Sequence, residues 1–326
     1  MRSPRRATWL AVALGACVAA AGMGEPSSAA GVAIAPVVSG TAHQALFAVS
    51  FDGNAGLAVG AGGQMLATRD GGTSWQAVVP SPTEKALFGV ALGPGRAIAV
   101  GQSGLVLVRD AKGAWRPSAS GTEERLFAVD VNADGVAVAV GAFGKIIRSG
   151  DGGGTWSTVA PSWTEGYTDQ GMEPHLYGVK VGPDGVITCV GEFGLVLRSS
   201  DGGQTWSVLH KGDASLFALD LRNDGIGYAV GQGGTILRTT DGGATWVDVP
   251  SGSTANLLGV HSAADGRVLV AAMRDMLASD DGLAWRRVDW GDFGSAWYSG
   301  VFVAGKGAEP GALVVGHSGR IVRIGR

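Results

Sequence analysis

"LFALDLRNDGIGYAVGQGGTILRTTDGGATWVDV", from Leu216 to Val249, holds one complete structural unit. It opens on an apolar-aromatic run, "LFALDL", and breaks at the turn "RNDG". An apolar run ending in "VGQGG" follows, then "TILRT", the Asp-Gly-Gly turn, and a last short run built on "TW". Each run is short, rich in β-formers and bounded by turn residues, which predicts a four-stranded antiparallel meander.

The unit recurs. Apolar-aromatic starts stand at Leu46, Leu87, Leu126, Leu176, Leu216, Leu257 and Trp297, spaced 41, 39, 50, 40, 41 and 40 residues apart. Four strands per forty residues, seven times over, specify an all-β, seven-bladed β-propeller of four-stranded antiparallel blades. Helical solenoids are excluded, because no 3.6-residue periodicity accompanies the repeat. The 56 glycines among 326 residues suit a chain of many tight turns. Charged residues make up only 16%, which excludes a disordered chain. The formal charge of −3 becomes about −6 once Arg2, Arg5 and Arg6 are lost, so nucleic acid is not an expected partner.

Residues 1–30 read as an export signal. The three arginines precede the uncharged stretch "ATWLAVALGACVAAAGMG", too rich in Ala and Gly for a membrane-spanning helix. "LGAC" (Leu14 to Cys17) resembles the lipobox of bacterial lipoproteins, which would make Cys17 the lipidated residue and give a peripheral lipid anchor. Ordinary cleavage near Ala30 is the alternative. The expected location is the periplasm or the outer membrane as a lipoprotein, with a secreted soluble protein as the other outcome. Cys189, in the apolar run "VITCV", reads as a small buried hydrophobe with no disulfide partner in the mature domain.

The last copy stops at "GRIVRIGR" after its third run, whereas residues 31–45 match a fourth run and the link to the next unit. The N-terminal segment is therefore expected to complete the last blade and close the ring. A monomer is the expected state.

The Asp-Gly-Gly turn belongs to an Asp-box, Ser/Thr-x-Asp-x-Gly-x-Thr/Ser-Trp. It is complete around Asp70 and Trp75, Asp151 and Trp156, Asp201 and Trp206, and Asp241 and Trp246, and degraded in the second and sixth copies. A carboxylate that caps nearby backbone N–H groups, a left-handed Gly and an anchoring Trp make a hairpin staple. A motif needed in nearly every blade is a poor candidate for one active site.

The combination "VGQGGTILRTTDGGATW" (Val230 to Trp246), with its copies at Val190 and Val140, resembles the photosystem II stability/assembly factor family. The resemblance covers essentially the whole chain after residue 31. It implies a non-catalytic assembly factor or scaffold on the exported side of a membrane, with a membrane or envelope protein as client. In photosynthetic members that client is the D1 reaction-centre protein. No cofactor is implied.

Two groups of residues are candidates for partner binding. Arg148, Arg198, Arg238 and Arg323 occupy one slot, three residues before the Asp-box Asp, while Ala67 and Leu277 stand there in the first and sixth copies. Either they bridge blades, or they form a one-sided basic stripe for an acidic partner. The second group lies about the enlarged connection Ala160 to His175, which carries Trp163 and Tyr167 and is expected over the face bearing Phe143, Glu192 and Phe193.

A glycoside hydrolase is the competing class. Glu165, Asp169, Glu173, Glu192 and Asp292 are its loop acids. The sialidase Arg-Ile-Pro motif is absent, Tyr177 and Tyr228 read as core, and only Tyr167 and Tyr298 are left for a nucleophile. The five histidines lack metal-ligand spacing.

Overall fold

The computed structural model describes residues 34–325 apart from 111, 165, 169–170 and 305–310. The export signal with Cys17, and the loop acids Glu165 and Asp169, lie outside the described residues.

Seven four-stranded antiparallel sheets are present, each in simple sequence order except the last. The first blade runs Leu46–Asp52, Ala55–Gly60, Met65–Thr68 and Gln76–Ala77 from the inside outward. In the last blade Tyr298–Val303, Ala312–Gly316 and Ile321–Ile324 are followed by Ile34–Val38 as the outermost strand. Ile34 pairs with Ile324, Ala35 with Arg323 and Pro36 with Val322. Closing the last sheet with the chain's own start ties blade seven to blade one.

Seven apolar clusters fill the spaces between neighbouring blades, for example Val138, Val140, Val179 and Leu197 between blades three and four. Every second strand is buried along its whole length or all but its first residue, because both its faces meet another sheet. That burial accounts for continuous apolar runs such as "AVAV" where a one-sided sheet would alternate.

Two local rules in the repeat position the surface. First, each inner strand carries a bulge after its first residue: Leu46 pairs with Gly60, yet Ala48 pairs with Val59. The same shift recurs in the other six blades. The extra residue is Phe47, Phe88, Phe127, Tyr177, Phe217, Leu258 or Ser299, and the bulge turns it toward the ring's axis. A side chain on Gly60 would overlap the Ala45 carbonyl, which explains the glycine of "VG".

Second, the turn between second and third strands needs a left-handed residue in every blade. Gly62, Ser103, Phe143, Phe193, Gly233, Arg274 and Ser318 hold it, with φ between 51° and 64°. These turns share a face with the connections between blades, as shown by Gly144 N–H donating to the Pro174 carbonyl at 2.7 Å. The Asp-box turns pack on first-to-second-strand turns at the opposite face, Gly152 N–H reaching the Gly135 carbonyl at 2.9 Å.

Register corrects three sequence assignments. Tyr298, not Trp297, pairs with Gly316 as Leu46 does with Gly60. Ala278, not Leu277, fills the arginine slot of blade six, because Ser279 bonds Asp281 and so makes Asp281, not Asp280, the turn carboxylate. Tyr177 is no core residue but a half-buried ring at the channel mouth, whereas Tyr228 is buried.

Candidate functional site

The Asp-box carboxylates are occupied by their own turns. Asp151 accepts the Thr155 N–H at 2.9 Å and the hydroxyls of Ser149 at 2.7 Å and Thr155 at 2.8 Å. These donors, Ser149 foremost, hold its carboxyl down at about 2. Asp70 and Asp201 lie at about 2 as well, led by the hydroxyls of Ser74 and Thr205, and Asp241 is lowered chiefly by Thr245. Such groups stay ionised at any working pH and are unsuited to donate a proton. Trp75, Trp156 and Trp246 are half-buried and donate to carbonyls of their own turns (Gly72, Gly153 and Gly243). Trp206 is buried and instead crosses to the Val159 carbonyl of the preceding blade at 2.8 Å.

The arginine slot lies beside these turns. Arg148, Arg198, Arg238 and Arg323 are half-buried, and no hydrogen bond or ion pair engages their guanidinium groups among the described residues. The Nε–H groups of Arg148 and Arg238 are buried without a partner. The Arg148 head lies against the next blade's turn, where a Cβ on Gly202 would stand 3.5 Å from its Nε. Bridging between blades is done by other residues. Arg222 reaches the Ala263 carbonyl at 2.7 Å, Arg267 the Ala304 carbonyl at 2.6 Å, Arg96 the Ala133 carbonyl at 3.1 Å, and Asn132 the Gly182 carbonyl at 3.0 Å. These four sit at first-to-second-strand turns, whose repeated letters are an Asp-Gly pair rather than the residue that crosses to the next blade.

On the axis runs a channel of about 590 Å³. Neighbouring rings at its mouth stand close together: Phe47–Phe88 at 5.6 Å, Phe88–Phe127 at 6.0 Å, Phe127–Tyr177 at 5.4 Å and Tyr177–Phe217 at 5.5 Å. Trp297 stacks on Phe47 at 6.0 Å and fills the gap left by Ser299. Deeper in the channel, inner-strand side chains clamp the next blade. Ser50 accepts the Leu92 N–H at 3.0 Å, Asp130 that of Val181 at 2.8 Å, Asp220 that of Ser262 at 2.7 Å, and His261 Nδ1 that of Val303 at 3.2 Å. Lys180 stands 3.7 Å from Asp130, whose charge holds its ammonium above the usual lysine range.

The enlarged connection folds back onto blades three and four. Trp163 and Tyr167 are half-buried against the apolar cluster there, Trp163 donating to the Gly144 carbonyl at 3.3 Å. Phe193 is half-buried, while Phe143 stays exposed, its ring 5.0 Å from that of His175. Glu192 accepts the His175 N–H at 2.8 Å and the Tyr177 hydroxyl at 3.4 Å. Burial, then Glu192, pushes the Tyr177 phenol up to about 12.

Asp292 is likewise engaged. It accepts from Tyr298 at 2.9 Å, from His317 at 2.8 Å and from Arg320. Among the described residues no three His, Cys, Asp or Glu side chains gather as metal ligands.

Fold and surface together define a seven-bladed β-propeller whose repeated acids serve its own backbone and whose two faces differ in chemistry. No family model and no curated protein matches the chain. Among solved structures it is similar to YCF48 from Cyanidioschyzon merolae, at 20% identity and a TM-score of 0.70 over 90% of this chain and 98% of that one. It is also similar to YCF48 bound to D1 peptide, at 17% identity and a TM-score of 0.68 over 90% and 97% of the two chains. A GH74 xyloglucanase from Xanthomonas campestris gives 14% identity and a TM-score of 0.68 over 89% of this chain and 53% of the enzyme. At such identities the likeness is one of fold.

Proposed function

We propose that this protein is a non-catalytic, exported propeller that serves as an assembly factor or scaffold for a membrane or envelope protein complex, similar to photosystem II assembly factors. The observation that carries the reading is the set of unfilled guanidinium groups at Arg148, Arg198 and Arg238 in three successive blades. Carboxylates on a client would satisfy these groups with paired, charge-assisted bonds. That YCF48 has been solved holding a D1 peptide supports a polypeptide as the occupant of this fold.

Changing the three arginines together to Gln tests the reading. Client capture in a crosslinking pull-down should weaken by about 2 kcal/mol or more, with a flattened salt dependence. Stability should stay within about 0.5 kcal/mol, as for surface changes. A melting temperature lowered by several kcal/mol of stability, with binding retained by the folded fraction, would overturn the assignment. The competing reading, a sialidase-like or other glycoside hydrolase acting on envelope or extracellular glycans, is favoured by the ring of aromatic side chains, on which sugars could stack. Robust turnover of fluorogenic glycosides would replace the scaffold reading with it.

A further inference from the structure

The face opposite the Asp-box turns carries a second, chemically different opening. Six half-buried aromatic side chains, from Phe47, Phe88, Phe127, Tyr177, Phe217 and Trp297, converge on the channel mouth. So large a cluster of partly wetted rings at one opening is the mark of an interaction site. The mouth does not end there. Phe127 also lines a neighbouring cavity of about 370 Å³, bounded by Ala142, Phe143 and His175 on one side and by Glu123 and Glu124 on the other. Channel mouth and cavity thus form one groove that runs outward over blade three, between its turn at Phe143 and the blade-two turn at Gln102 and Ser103.

Charge and exposure within the groove are uneven. Among the described residues no ion pair or hydrogen bond engages the carboxylates of Glu123 and Glu124, and Arg125, exposed, is the cation that shares their lining. His175 Nδ1 accepts the Phe143 N–H at 3.1 Å. Phe143 is 55% exposed. It also occupies a left-handed turn position, φ 51°, where two blades place serine and two place glycine. The ring is thus held, largely exposed, in a backbone region that suits glycine, its one ring contact among the described residues being the edge of His175.

We propose that this groove docks an extended segment of a partner polypeptide that carries a Lys or Arg beside a bulky apolar residue. The apolar side chain enters the ring of aromatics, and the basic one meets Glu123 and Glu124 with Phe143 alongside it, where a cation over the ring is favoured. A compact ligand would fill the channel or the outer cavity; an extended strand fills both. The site goes beyond the arginine surface and rests on the same scaffold reading. It gives the protein two faces of opposite charge preference, so that one propeller can hold two segments at once.

Panning a phage-displayed random dodecapeptide library against the mature protein tests the inference, with Phe143→Gly and the double variant Glu123→Gln/Glu124→Gln as counter-screens. The expected result is enrichment of peptides pairing a basic with an apolar residue. Fluorescence anisotropy of the selected peptide should show at least tenfold weaker binding to each variant. Phe143→Gly should melt at the parent temperature or above, because glycine suits the left-handed turn. The Arg148, Arg198 and Arg238 triple variant should bind the same peptide unchanged. Selected peptides that bind both counter-screen variants as tightly as the parent would overturn the inference. So would a library yielding only acidic peptides that are lost with the arginine variant, a result that leaves the scaffold reading standing.

Discussion

Replacing Ile34, Val37 and Val38 with alanine should open the ring. These are the half-buried side chains of the outermost strand in the last blade. Ile34 packs against the cluster between blades six and seven, and Val37 and Val38 against that between seven and one. The triple change removes about seven carbons, each worth about 0.8 kcal/mol when fully buried. At half burial the loss comes to roughly 3 kcal/mol, before any loss of the strand's own ladder bonds. For a domain this large that corresponds to roughly 5–10 °C in melting temperature. Deleting Gly31 to Gly40 should cost more, since it also bares Ile321–Ile324 as an edge. Pro36 now helps protect that edge, having no N–H to offer an incoming strand. Thermal unfolding followed by tryptophan fluorescence measures the first effect, and size-exclusion chromatography the second. A triple variant that melts within about 1 °C of the parent would refute the reasoning. So would a deletion that stays monodisperse with an unchanged melting curve.

Further expectations concern single groups. If Cys17 is lipidated, mass spectrometry of the mature N-terminus will find an acylated, diglyceride-modified cysteine; a free N-terminus near Gly31 would exclude it. Burial lowers the His261 pKa against the pull of Asp220 and with the push of Lys180 and Arg222. Its stabilising bond to Val303 should therefore be fully present above about 6.5 and weaken as pH falls below that value. His261→Gln should remove that part of the pH dependence between pH 8 and pH 5 in thermal melts. Trp206→Phe should destabilise the protein more than Trp156→Phe, because only Trp206 ties its turn to another blade.

The blade plan was legible because the turns are chemically strict. Six of seven blades place a glycine at the Gly60 position, where a Cβ would overlap backbone, blade six having Ala272 there, and the complete Asp-box turn uses both its carboxylate and its hydroxyl. Such demands repeat in sequence as fixed letters. The errors arose where two neighbouring residues could meet one demand. "SDDG" offers Asp280 and Asp281, and "WY" offers Trp297 and Tyr298, and only strand pairing chooses between them. The bulge that sends Tyr177 to the channel left no trace, because "LF" and "LY" look equally apolar whichever residue faces the core. Arg96, Arg222 and Arg267 were missed for a related reason. Their acceptors are main-chain carbonyls of the next blade, and a carbonyl has no sequence signature.

A repeat protein separates its structural from its individual chemistry by what it copies. Residues present in every blade meet a requirement of every blade, and their acids and rings are occupied accordingly. Departures from the copy are then the informative positions. Phe143 and Phe193 replace small residues in a turn that disfavours them, and the longest connection follows blade three. The outer cavity opens beside that same turn of blade three. Arg148, Arg198, Arg238 and Arg323 fill one slot in blades three, four, five and seven, with buried unpartnered Nε–H groups at Arg148 and Arg238, while blades one, two and six place Ala67, Val108 and Ala278 there. Apart from Arg323 in blade seven, both departures concentrate in blades three to five, although they lie at opposite ends of the ring's axis. Evenly distributed staples would not concentrate in this way; a partner that approaches the ring from one side would produce that bias.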